Sequence, residues 1–134
     1  MPVPLLDGLL ELLDRASPCF IATLMPDGSP QLTQTWVTTD GEHVVINIVD
    51  GTQKARNIAR DPRVAVNVVD PDDASRYYAV RGRVISSTTS GGADSIDEIS
   101  QKYLRQPYPN FTGRPEVRVL LTIAADSVTP PARG

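Results

Sequence analysis

Apolar residues at Leu5, Leu6, Leu9, Leu10, Leu12 and Leu13 recur three and four positions apart, which gathers them on one face of a helix and predicts that element over 4–15. Ser17-Pro18 stops it, because the residue before a proline is driven out of the helical region. Three strand-like runs follow at 19–24, 31–38 and 43–49, separated by Pro26-Asp27-Gly28-Ser29 and Asp40-Gly41, both strong turn signals. The period then changes. Over 52–60, Thr52 can cap a short helix, Ala55, Ile58 and Ala59 share an apolar face, and Asp61-Pro62 ends the run. Strands are expected again at 64–69 and 77–86, joined by a Pro71-Asp72-Asp73 turn, and at 117–125. Ile96, Ile99, Tyr103 and Leu104 mark a helix over 94–104; the 86–93 stretch reads as a flexible loop and 126–134 as a surface tail. Six antiparallel strands with few helices predict a mainly β protein, a small closed barrel with peripheral helices, as one domain over 1–134 with its N-terminal helix inside 1–16.

Composition narrows the class. At 134 residues, 40% hydrophobic and 22% charged, with a mean hydropathy of -0.18, the chain is expected to be one soluble globular unit. It shows no membrane span, no export signal and a single cysteine, Cys19, so the cytoplasm is the expected compartment. A formal net charge of -3 argues against a nucleic-acid partner.

Side-chain chemistry is sparse. The sole histidine, His43, follows a turn and reads as solvated, no G-x-S-x-G elbow is present, and one histidine with one cysteine offers no metal-ligand spacing. Neither a P-loop nor G-x-G-x-x-G occurs. No catalytic side chain and no metal are therefore expected. What stands out is the basic run from Lys54 to Arg63. Lys54 falls in the first helical turn, where the macrodipole is already positive, and Arg56 and Arg60 are like charges at i and i+4. An anion at the helix N-terminus would reverse both effects, with first-turn N–H groups, the Thr52 hydroxyl and the Lys54 ammonium as donors; a solvated basic face is the alternative. Gln31, Thr33 and Thr35 put hydrogen-bonding groups on one side of the second strand, facing either a ligand or water. Asn47 interrupts an apolar strand and needs a partner, which a heteroaromatic ring could supply. Trp36 and Tyr78 fit packing as well as stacking on a ring.

The run K-A-R-N-I-A-R-D-P-R-V-A-V at 54–66, with A-T-L-M-P-D-G-S-P-Q-L at 22–32, resembles the flavin/deazaflavin oxidoreductases of the pyridoxamine 5'-phosphate oxidase-like split-barrel superfamily. Tyr77 to Val84, Arg118 to Ile123 and Pro130-Pro131 extend the likeness to about 5–131, and within the superfamily the chain is most similar to the probable coenzyme F420-dependent group. The resemblance implies an FMN-binding-like split barrel, a homodimer with two grooves at the interface. It implies hydride transfer from reduced F420 to an unsaturated or quinone-like acceptor, with the cofactor supplying the reactivity. FMN is the alternative cofactor, and a noncatalytic dimer holding a cofactor or tetrapyrrole is the alternative role. Carried over by position, Thr52, Gln53, Lys54 and Ala55 would hold the phosphate, and Gln31, Thr33, Asn47 and Ile48 would line the ring. Tyr78 would stand near the ring or tail, and Arg60 would meet the oligoglutamyl tail. The pattern that binds pyridoxal phosphate in the true oxidases is not evident, so vitamin B6 chemistry is not expected.

Overall fold

The computed structural model describes residues 2–132. Its elements are α1 (Asp7–Asp14), β1 (Cys19–Leu24), β2 (Pro30–Thr35), β3 (Val37–Thr39), β4 (Val44–Val49), α2 (Gln53–Arg60), β5 (Arg63–Asp70), β6 (Asp73–Thr88), α3 (Gly92–Leu104) and β7 (Arg118–Thr129). The seven strands form one antiparallel sheet in the order β2-β1-β5-β6-β7-β4-β3. Its edges, β2 and β3, are joined by Trp36 alone. In a flat sheet they would stand about 29 Å apart at ordinary strand spacing. One residue spans roughly 3.5 Å, so the sheet has to curl into a half-barrel.

Burial follows from that curl. On β5, Val64, Val66 and Val68 turn inward while Ala65 faces out; α1 packs on β3 and β5 and buries Leu9, Leu12 and Leu13. β4 is buried from Val44 through Ile48, because the barrel core covers one face and α3 lies near the other. Two glycines allow close approach. A Cβ on Gly82 would sit 2.1 Å from the Ala124 carbonyl oxygen, beside a register shift between β6 and β7, and one on Gly92 would sit 2.3 Å from the Arg118 carbonyl oxygen, where α3 meets β7.

The sequence reading is corrected in five places, the first being that the expected closed barrel is a half-barrel, since its edges β2 and β3 are not paired to each other. There are seven strands, not six, because the run expected over 31–38 breaks at Trp36. The expected tail is strand as far as Thr129, paired to β6 through Ala79↔Thr129, and its last two residues lie outside the described ones. The expected 86–93 loop is largely the end of β6 and the start of α3. The first helix begins only at Asp7, after Leu6 in extended conformation. No helix among the described residues is long and apolar enough to cross a membrane.

Candidate cofactor groove

A groove of about 610 Å³ opens between the end of β2, β4, the start of α2, and α3 with the segment that follows it. That size suits a small-molecule site. One wall is aromatic. The Trp36 indole stacks on Tyr103 at 5.1 Å and 9°, and meets Tyr108 and Phe111 edge-on at 6.4 and 6.2 Å. Tyr103 is pinned from below, its hydroxyl donating to the Ser17 carbonyl at 2.6 Å and accepting from the Val37 N–H at 3.2 Å. Phe111 is 69% exposed at the mouth.

The polar wall begins where β4 ends. Thr52 caps α2, accepting from the Ala55 N–H at 3.4 Å while its hydroxyl donates to the Val49 carbonyl at 2.8 Å. Replacing Thr52 by alanine removes both contacts and is expected to cost about 1 kcal/mol in a denaturant melt; an unchanged midpoint would show that the cap contributes nothing. Lys54 turns into the groove, with Nζ 3.4 Å from Thr33 Oγ1 and no carboxylate partner among the described residues. Burial, then the Arg118 guanidinium, push its pKa below the ordinary lysine value.

Arg118 is held on three sides. Nε donates to Asn47 Oδ1 at 2.7 Å, Nη1 donates to Glu116 Oε1 at 3.1 Å, and the guanidinium lies 5.0 Å over the Tyr108 ring. Asn47 in turn donates to the Gly92 carbonyl at 2.8 Å. Glu116 also accepts from Thr112 at 2.7 Å and Tyr108 at 3.2 Å. Burial would raise its pKa, but these hydrogen bonds and Arg118 prevail and hold it below the usual carboxylate range. Lys54 and Arg118 are the cations of the lining, and no acidic residue lines it among the described residues.

The expected site residues separate into groups. Asn47, Ile48, Thr52 and Lys54 border the groove, and Thr33 touches Lys54. Gln31 joins a different network, accepting from buried Asn57 at 3.2 Å and from Thr23 at 3.4 Å. Gln53 donates to Asn57 at 2.8 Å, and Ala55 faces a second cavity behind α2. Arg60 lies outside the groove lining, donating to the Leu24 carbonyl and to Asn57. Arg56 folds back onto the Gly51 carbonyl at 2.6 Å, so the carbonyls of Gly51 and of Leu24 at the end of β1 accept from the two arginines that looked unfavourable in sequence. Tyr78 is buried against α1, where a Cβ on Gly8 would lie 2.0 Å from its hydroxyl, and it does not border the groove of its own chain. Asn47 finds the partner it needs within the protein, in Gly92 and Arg118.

The sequence reading passed over Arg118, Glu116, Tyr108 and Phe111. The signal available was an aromatic Y-P-N-F-T-G segment between a helix and a strand, and a lone cation heading an apolar strand.

With the geometry in hand, the sequence matches the pyridoxamine 5'-phosphate oxidase family over residues 5–129. The chain belongs to that family. Among solved structures, an F420 reductase is 30% identical to this family member, with a TM-score of 0.78 and coverage of 93% of this chain and 98% of that one. A conserved hypothetical protein from Mycobacterium tuberculosis matches at 22% identity, TM-score 0.69 and coverage of 95% and 84%. HupZ from Group A Streptococcus matches at 14%, TM-score 0.66 and coverage of 97% and 99%. The last two share the fold. The family and the 30% identical neighbour together support an oxidoreductase of the pyridoxamine 5'-phosphate oxidase-like kind.

Proposed function

We propose that this member of the pyridoxamine 5'-phosphate oxidase family is a coenzyme F420-dependent oxidoreductase that reduces an unsaturated or quinone-like small molecule. The observation that carries the reading is Lys54: an ammonium drawn out of water, beside a second cation, in an aromatic-walled groove that no carboxylate lines among the described residues. A partly desolvated cation without a counter-ion is costly unless an anion arrives. The 30% identity to an F420 reductase supports the choice of deazaflavin.

In this reading the Lys54 ammonium and the first-turn N–H groups that the Thr52 cap leaves free hold the cofactor phosphate, with Thr52 fixing the start of α2 through its bonds to Ala55 and Val49. Thr33, Asn47 and Ile48 border the ring, and Trp36 with Phe111 walls the space left for the acceptor. When bound, the reduced deazaflavin supplies the hydride. The chain supplies orientation and excludes water, and needs no acid, base or nucleophile of its own for that transfer. A second copy of the chain completes each groove, so the homodimer is part of the proposal, and Tyr78 and Arg60 have a role only across that interface.

The test is titration of the protein with F420 and separately with FMN, followed by the fluorescence of its sole tryptophan, Trp36. F420 is expected to bind at micromolar concentration or tighter, and FMN more weakly. The reverse preference would transfer the protein to the flavin enzymes, and no response to either would remove the cofactor reading.

A further inference from the structure

The groove carries a charge balance that the proposed function leaves unused. Lys54 and Arg118 contribute two positive charges, and Lys54 feels the Arg118 guanidinium directly. Just behind the lining, Glu116 contributes one negative charge at 3.1 Å from Arg118. The Glu116 side chain is only 5% exposed and that of Arg118 only 11%, so water screens this pair poorly. Both Glu116 oxygens are already engaged, Oε1 by Arg118 and Oε2 by Thr112 and Tyr108. The carboxylate is therefore a fixed part of the wall, not a group free to swing away when an anion enters. The three charges sum to a single positive charge.

We infer that Glu116 determines which kind of phosphate the groove accepts, favouring a singly charged phosphodiester over a doubly charged phosphomonoester. This rests on the cofactor reading above. A diester has one ionisable oxygen and carries one charge, which the groove neutralises. A monoester carries about 1.5 to 2 negative charges at neutral pH and leaves an excess in a partly buried site. The phosphate of F420 is a diester and that of FMN a monoester, so one buried carboxylate discriminates between the two cofactors without touching either.

The experiment compares Glu116→Gln with the wild type in binding FMN, riboflavin and F420. The amide keeps the shape and removes the charge, and FMN differs from riboflavin only by its phosphate. The shift scales with the charge on the phosphate itself, the group held near Arg118 and Glu116, so the variant is expected to bind FMN about tenfold tighter, F420 about threefold tighter and riboflavin unchanged. Glu116→Asp, which keeps the charge, should restore the wild-type order. An unchanged FMN-to-riboflavin ratio in folded Glu116→Gln, or an equal shift for all three ligands, would overturn the inference. Should that variant fail to fold, the wild type still decides: diethyl phosphate should perturb Trp36 fluorescence at lower concentration than ethyl phosphate, and the opposite order refutes it. If the FMN-to-riboflavin ratio responds as expected while F420 does not bind at all, the F420 reading fails and the role of Glu116 stands.

Discussion

Replacing Lys54 by alanine is expected to weaken F420 binding by about 1 to 3 kcal/mol, the range for a charge-assisted hydrogen bond. The empty protein should behave oppositely. In the wild type Lys54 is partly desolvated, has only the Thr33 hydroxyl at 3.4 Å as a side-chain partner among the described residues and stands in the field of Arg118. Removing a cation in that position relieves a cost, so the variant without ligand should melt at the same temperature as the wild type or higher. Affinity lost at equal or greater stability is the signature of a residue kept for binding. Fluorescence titration and a thermal melt of one preparation check both halves. Unchanged affinity would place the phosphate elsewhere, and a destabilised empty protein would make Lys54 a structural residue.

The second large effect concerns alkaline stability and originates at Cys19. Its thiol is fully buried between β2 and β5, and burial pushes its pKa from 9.0 up to about 12, with Lys102 and Lys54 only partly offsetting this. Above pH 9 the unfolded chain releases this proton while the folded chain keeps it, so stability falls as pH rises toward 12, by about 1.4 kcal/mol per pH unit. Lys102 acts in the other direction. Burial lowers its pKa from 10.5 to about 8, so between those values the unfolded chain holds the extra proton and stability rises with pH. Lys54, whose pKa is also lowered, acts with Lys102, while above pH 10 Tyr103, whose pKa burial raises, acts with the thiol. The two groups of residues oppose each other above pH 9, and the acids prevail once the lysines have titrated in the unfolded chain. Cys19→Val keeps an apolar side chain and removes the thiol. Between pH 9 and 10.5 the wild type should lose about 2 kcal/mol relative to the variant in urea melts. Parallel curves would mean that the thiol ionises equally in both states.

Much of the fold was legible because short-range rules decide it. The leucines of α1, the turns at Asp27-Gly28 and Asp40-Gly41, and the Asp61-Pro62 stop after α2 are each read within a few residues. The misreadings have a common cause. The 31–38 run has uniform strand character, so nothing local shows that Trp36 is where the chain passes from one edge of the sheet to the other. Asp126 to Thr129 looks like a polar tail, and becomes strand because β6 lies alongside to take its hydrogen bonds.

The same division runs through the groove. Lys54 was visible from sequence because its charge sits badly in its own helix, a mismatch measured over a single turn. Arg56 and Arg60 were like charges four residues apart, and only folding showed that the carbonyls of Gly51 and Leu24 accept from them. The partner of Asn47 could not be foreseen, since Gly92 is 45 residues away and Arg118 is 71. By itself the sequence determined most of the elements, the family and the placement of Lys54 in the first turn of α2. Tertiary structure alone decided that Trp36, Tyr103, Tyr108 and Phe111 form one wall, and that Glu116 stands behind Arg118. The reason is physical: propensity and capping act over a turn or two of chain, whereas aromatic stacking, burial and charge pairing depend on distances in space that many residues jointly determine.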